Sequence, residues 1–114
     1  MNQKENATFI GFGNMGSAIV DAVYKKKCFN KITVIEPDSS KTSNLKSLSI
    51  LTDIKISEEI NKSKYVWICV KPQLFKKVSL DLKSFLGKDQ ILISIMAGIT
   101  KNQIVQQTNH LKVV

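Results

Sequence analysis

The sequence contains no arginine, because all 17 of its basic residues are lysine, and its formal net charge is +8. A basic balance can indicate a nucleic-acid partner. These lysines are scattered, however, and no aromatic residues alternate with them, as a surface for single strands requires. The run Lys25, Lys26 and Lys27 falls at the end of a predicted helix, where cations interact favourably with the helix dipole. We therefore expect no nucleic-acid partner.

Cysteine and histidine are also scarce, and hydrophobic runs are short. The two cysteines and one histidine form no metal-binding pattern, and we predict no disulfide. Cys69 is expected to be a small core residue, whereas Cys28 and His110 are expected at the surface. No apolar run approaches the roughly 18 residues of a membrane-spanning helix, and the N-terminus lacks a signal-peptide pattern. We therefore expect a cytoplasmic protein without membrane contact.

Short apolar segments alternate with helical patterns along the chain. The length of 114 residues fits one domain, residues 1–114. Strands are predicted at residues 7–10, 32–35, 50–51, 65–70, 91–96 and 111–114. Helices are predicted from residue 14, around Leu45 and Leu48, after Ser57, from Pro72, and after Thr100 with Gln103 in a capping box. The alternation predicts an α/β fold: a doubly wound, mainly parallel sheet with helices on both faces.

Three glycines follow the first predicted strand, within TFIGFGNMGSAIVDA (residues 8–22). This GxGxxG pattern between a strand and a helix is typical of a dinucleotide-binding turn. Gly11 permits a tight turn, Gly13 lets a pyrophosphate approach the backbone, and Gly16 lets the helix pack closely on the strand. Free amides near Asn14 and Met15 would then face the phosphates. A turn alone does not need three glycines at this spacing.

Glu36 ends the second predicted strand, 20 positions beyond Gly16. A carboxylate there can accept hydrogen bonds from both ribose hydroxyls of NAD, and it repels the 2′-phosphate of NADP. Ser39, Ser40 and Lys41 follow and could bind that phosphate if Glu36 turned away. Local chemistry thus favours NAD and leaves NADP open, and an ordinary turn role for Glu36 is the other alternative.

Two later loops follow the fourth and fifth predicted strands: VKPQ (residues 70–73) and SIMAGIT (residues 94–100). Ligands of open parallel sheets bind outside the carboxyl ends of the strands, so these loops should flank the glycine turn. Lys71 could contact phosphate or ribose. Ala97 and Gly98 are small enough for a nicotinamide to lie against the backbone. A solvated lysine and a plain turn are the alternatives.

Together IGFGNMGSAI, VKPQ and SIMAGIT resemble the pyrroline-5-carboxylate reductase family, over essentially the whole chain from about Ala7. The resemblance implies a Rossmann-type N-terminal domain followed by a helical dimerisation domain. It also implies reduction of the imine 1-pyrroline-5-carboxylate to L-proline with NADPH or NADH, in proline biosynthesis. It assigns cofactor binding to Ile10, Gly11, Phe12, Gly13, Asn14 and Met15 at the pyrophosphate, Val70, Lys71 and Pro72 at the nicotinamide ribose, and Ile95, Met96, Ala97 and Gly98 near the nicotinamide.

The sequence departs from the family pattern in two places. After the second strand the family often has Asn-Arg-Thr or a serine-rich turn, which favours a 2′-phosphate, whereas this chain has Glu36, Pro37 and Asp38. The family continues after KVV into an Arg/Pro/Asn-rich segment, whereas this sequence stops at Val114. We therefore expect cofactor binding without useful turnover, no catalytic residue, and a monomer or weak dimer. The alternative is a stand-alone dinucleotide-binding or sensing module that acts through a protein partner.

Overall fold

Five short strands form one parallel sheet in the computed structural model, which describes residues 4–114. They are β1 (Ala7–Ile10), β2 (Ile32–Ile35), β3 (Leu51–Asp53), β4 (Tyr65–Ile68) and β5 (Ile91–Ser94). Their order across the sheet is β3-β2-β1-β4-β5, and every pair is parallel. Central β1 is buried throughout, as a strand covered on both faces should be.

Three α-helices cover the two faces of this sheet: α1 (Asn14–Lys25), α2 (Phe75–Phe85) and α3 (Lys101–Thr108). On one face, Val20 of α1 packs in a buried cluster with Phe9 and Val34. On the other face, Leu82 of α2 and Ile104 of α3 belong to a separate cluster with strand residues such as Ile10 and Ile68. Alternate strand residues point to opposite faces, so the sheet separates two cores. The predicted doubly wound architecture is confirmed.

The connection from β2 to β3 differs from the prediction. It contains two short 3-10 helices, Ser39–Thr42 and Lys46–Leu48, so the α-helix predicted around Leu45 and Leu48 was wrong. Serine and threonine hydroxyls in this segment donate hydrogen bonds to carbonyls three residues earlier, for example Ser47 to Asn44. Such local bonds compete with a regular helical ladder.

Two further local predictions, the capping box at Thr100 and the sixth strand at residues 111–114, had different outcomes. The capping box is confirmed, because the Thr100 hydroxyl accepts from the Gln103 amide and the Gln103 side chain accepts from the Thr100 amide. The sixth strand predicted at residues 111–114 is reduced to a single parallel bridge between Leu92 and Val113.

None of the helices within residues 4–114 is both long enough and apolar enough to cross a membrane.

His110 is buried, with 5% of its surface exposed, so its predicted surface position was wrong. Its Nε2 atom hydrogen-bonds with the carbonyl of Gln90, and its amide donates to the Thr108 hydroxyl. Asn109, which precedes it, has a left-handed conformation with φ 59° that ends α3 and turns the chain back. The histidine is therefore paired with main chain through a non-local contact that local sequence does not reveal.

Gln90 is the centre of a buried polar network just before β5, with 6% of its surface exposed. Its Oε1 atom accepts from the Gly87 amide at 2.7 Å. Its Nε2 atom donates to the carbonyls of Ile60 and Ser63 at 2.7 and 2.6 Å. The Gln90 side chain thus joins the loop between α2 and β5 to the segment that precedes β4.

We predict that Gln90→Ala destabilises the fold by at least about 2 kcal/mol, because the Gly87 amide and the Ser63 carbonyl lose their buried partner. Urea unfolding measures this change. Asp89→Ala, at the exposed neighbouring position, is the control and should change the free energy of unfolding by less than about 0.5 kcal/mol. Equal effects of the two substitutions would contradict this role of Gln90.

Candidate functional site

A cleft of about 540 Å³ opens at the carboxyl ends of the strands. Segments that follow β1, β2, β3 and β4 form its walls, together with one side of α2. This is the edge at which open parallel sheets bind ligands, and the volume lies in the range of small-molecule sites. Among the residues selected from sequence, the lining contains Ile10, Gly11, Phe12, Gly13, Glu36, Lys41, Val70 and Lys71. Outside the lining lie Asn14, Met15, Gly16, Ser39, Ser40, Pro72, Ala97 and Gly98.

Gly11 and Gly16 are required by close contacts inside the protein. Gly11 has φ +97°, and a Cβ atom there would lie 2.9 Å from the carbonyl carbon and oxygen of Cys69. A Cβ atom at Gly16 would lie 2.8 Å from the Gly11 oxygen and 3.1 Å from the Cys69 Cβ. Because no side chain could fit at either position without a shift, these glycines let α1 lie directly against the strands.

Gly13 has no such internal reason. Its φ is −80°, which any residue can adopt, and a Cβ atom there would meet no protein atom within 4 Å. Gly13 is also the N-cap residue of α1 and lines the cleft. A side chain at this position would project into open space at the helix start. Because Gly13 has no side chain, the cleft has room beside the helix start for a bound ligand.

The N-terminus of α1 forms an electropositive end of the cleft. No side chain among residues 4–114 caps this helix, and its first turn contains no acidic residue. The first amides of a helix lack intrahelical partners and carry the positive end of the dipole. Four lysines also line the cleft, against the two carboxylates of Glu36 and Asp81. This combination suits an anionic ligand such as a phosphate.

The Glu36 carboxylate joins two walls of the cleft. Its Oε1 atom accepts from the Phe12 amide of the glycine turn at 3.0 Å, and its Oε2 atom accepts from the Asp38 amide at 3.0 Å. Only 9% of the residue is exposed. Both carboxylate oxygens are therefore held by main-chain donors from different segments, which keeps the charge at a defined position.

Asp38 organises the turn that follows. Its Oδ1 atom accepts from the Ser40 hydroxyl at 2.6 Å and from the Ser40 amide at 3.1 Å. Both bonds lower the pKa of the Asp38 carboxyl, and the bond from the Ser40 hydroxyl has the larger effect. The donors of Ser40 are thus directed to Asp38, and of residues 39–41 only Lys41 reaches the cleft.

Sequence reasoning missed one wall and one helix face of the cleft. The missed residues are Ile35, Pro37, Ile54, Lys55, Ile56, Cys69, Leu74, Lys77, Val78 and Asp81. Residues 54–56 follow β3, which lies next to β2 in the sheet. The rule that ligands bind after parallel strands could have indicated them, but β3 has only three residues and its neighbour in the sheet is not apparent from local sequence.

Cys69 is half-buried beneath the glycine turn rather than deep in the core, and Cys28 is exposed as expected. Burial raises the pKa of the Cys69 thiol to about 12. The thiol is therefore protonated at physiological pH, and a protonated thiol is a poor nucleophile.

A comparison with protein families assigns the chain to one of them. The model of the family described as "NADP oxidoreductase coenzyme F420-dependent" matches residues 6–98. The chain belongs to this family. The matched residues contain all five strands of the sheet and the glycine turn.

Similar proteins carry the name anticipated from the sequence motifs. The pyrroline-5-carboxylate reductase of Pisum sativum is 30% identical over 104 residues, which cover 90% of this chain and 38% of that protein. A pyrroline-5-carboxylate reductase structure from Coxiella burnetii is 26% identical with a TM-score of 0.84, covering 93% of this chain and 40% of that one. The Plasmodium falciparum pyrroline carboxylate reductase, whose structure has NADP bound, is 21% identical with a TM-score of 0.77, covering 94% and 39%. The chain therefore spans about two fifths of the length of these relatives.

We predict that iodoacetamide at pH 8 alkylates Cys28 at least about 100-fold faster than Cys69, because Cys69 is partly buried and its pKa is raised to about 12. Peptide mass spectrometry after timed quenching measures both rates. A Cys28→Ser variant should remain essentially unmodified until it is unfolded in urea. Comparable rates at the two cysteines of the folded protein would be inconsistent with the structure.

Proposed function

We propose that this chain binds a nicotinamide dinucleotide, NAD(H) or NADP(H), in the cleft, as the cofactor-binding part of a reductase. The observation that carries the proposal is the open side of Gly13: a Cβ atom there would meet no protein atom within 4 Å, next to the uncapped start of α1. A pyrophosphate fits both features, because main-chain amides can approach it without an intervening side chain. When bound, the nicotinamide supplies or accepts a hydride.

Different parts of the cleft have different roles in this proposal. The main chain of residues 10–16 holds the pyrophosphate, and Lys71 and Lys77 neutralise part of its charge. The segment after β2 and residues 54–56 hold the adenosine half. Val70 lies at the nicotinamide ribose, and Pro72 is kept as a further candidate there, although it lies outside the lining. Ala97 and Gly98, which also lie outside the lining, are candidates near the nicotinamide.

We further propose that the whole protein reduces 1-pyrroline-5-carboxylate to L-proline. Support comes from the Pisum sativum relative, which carries that reductase name and aligns with 90% of this chain at 30% identity. The Coxiella burnetii reductase adds the same fold at 26% identity. The cofactor proposal depends on the cleft, whereas this substrate proposal depends on the relatives.

We expect both NADH and NADPH to bind below millimolar concentration, and Gly13→Val to weaken binding at least about 100-fold, because its side chain fills the space left for the pyrophosphate. Nicotinamide fluorescence titration measures affinity, and circular dichroism checks the fold. Ala18→Val places the same valine side chain at an exposed position of α1, outside the lining, and should bind like the wild type. Undiminished binding by a folded Gly13→Val variant would refute this placement of the pyrophosphate.

We also expect the 114-residue chain, assayed by itself, to bind cofactor without efficient turnover. Hydride transfer needs a substrate held in line with the nicotinamide, and this chain matches only 38% of the length of its pea relative. The assay follows NADH or NADPH oxidation in the presence of 1-pyrroline-5-carboxylate. Turnover at the roughly 1–10³ per second of ordinary enzymes would overturn this expectation.

A further inference from the structure

We propose that the cleft selects NAD(H) over NADP(H), and that Glu36 and Asp38 determine this selectivity. The inference rests on the proposed dinucleotide function. It departs from the family description, which names NADP. Two structural features support it: the fixed carboxylate of Glu36 and the engaged donors of Ser40.

Glu36 cannot easily make room for a 2′-phosphate. Its two oxygens accept the amides of Phe12 and Asp38, both at 3.0 Å. Rotation of the side chain away from the cleft would break two charge-assisted hydrogen bonds and leave two main-chain donors without partners. The carboxylate therefore remains at the cleft wall whichever dinucleotide arrives.

The fixed Glu36 carboxylate would interact differently with NAD(H) and with NADP(H). A carboxylate oxygen can accept more than one hydrogen bond, so Glu36 retains acceptor capacity for ribose hydroxyls. A 2′-phosphate replaces one of those hydroxyl donors with an anionic group. A phosphate in the place of a hydroxyl bonded to Glu36 would lie within hydrogen-bonding distance of the carboxylate, and two like charges at that distance repel even near the protein surface. The difference favours the cofactor without the phosphate.

Asp38 removes the donors that would otherwise hold a phosphate. Residues 39–41 offer the serine hydroxyls, their amides and a lysine, which sequence alone leaves as a 2′-phosphate site. In the structure, the hydroxyl and amide of Ser40 both donate to the Asp38 carboxylate, at 2.6 and 3.1 Å. Next to the cleft, the turn therefore presents the Asp38 carboxylate where the hydroxyl and amide of Ser40 would otherwise be free donors.

Lys41 and Lys55 oppose these carboxylates but do not discriminate as strongly. Both are exposed, and neither forms an ion pair within the described chain. Their ammonium groups lie on flexible, well-hydrated stems. They also attract the pyrophosphate, which both cofactors share. We therefore expect the lysines to raise affinity for both dinucleotides.

Calorimetric titration of the 114-residue chain with NADH and NADPH tests the inference. We expect the wild type to bind NADH at least ~10-fold more tightly, since a tenfold ratio corresponds to ~1.4 kcal/mol. Glu36→Gln should reduce this ratio ~10-fold. Asp38→Ala, on an exposed turn, should strengthen NADPH binding ~3-fold or more and leave NADH binding within twofold, because it frees Ser40. Asp89→Asn removes the same charge far from the cleft and should leave the ratio within twofold.

The outcomes separate this inference from the proposed function. If the wild type binds NADPH as tightly as NADH or more tightly, the selectivity inference is wrong while cofactor binding stands. If neither dinucleotide binds below millimolar concentration, both are wrong. If Glu36→Gln loses its fold by circular dichroism, the wild-type ratio and Asp38→Ala decide: an unchanged ratio in Asp38→Ala counts against Asp38, and an increased NADPH affinity supports it.

Discussion

The arrangement of the cleft depends on how closely α1 approaches the strands beside it. The carbonyl oxygen of Gly11 lies 2.8 Å from the position that a Cβ atom of Gly16 would occupy, and the backbone of Cys69 lies 2.9 Å from the position that a Cβ atom of Gly11 would occupy. Two residues without side chains are therefore needed to bring the helix against β1 and β4. This packing directs the uncapped amides at the start of α1 towards the carboxyl edge of the sheet, where an anion can meet them.

Glu36 combines a structural role with one in the cleft. By accepting amides from the glycine turn and from its own turn, the carboxylate holds two loops in a common geometry. The same bonds keep its carboxylate at the cleft wall, where the proposed selectivity for NAD(H) requires it. The lysines of the cleft contrast with it, because their stems are exposed and unrestrained in the described chain, and they contribute attraction without a fixed direction.

Comparison with the relatives separates the shared fold from the residues at the cofactor cleft. This architecture is shared with the Plasmodium falciparum reductase at 21% identity, which establishes a common fold and nothing about selectivity. The family description names NADP, yet the turn after β2 in this chain carries two carboxylates and no arginine. Cofactor choice within such a fold is set by a few residues at the end of one strand, where a charge can be exchanged without disturbing the sheet.

The sequence by itself determined the approximate positions of the first five strands, the glycine turn and the capping box of α3, because each depends on short-range sterics and hydrogen bonds between near neighbours. It misled around Leu45, where hydroxyl groups bond locally to the backbone, and at His110, whose partner Gln90 is 20 residues away. Only the tertiary structure decided which loops share the cleft, and so brought Lys55 and Lys77 to it. Only the tertiary structure decided that Glu36 is held in place, because strand order and loop-to-loop hydrogen bonds arise from contacts between distant segments.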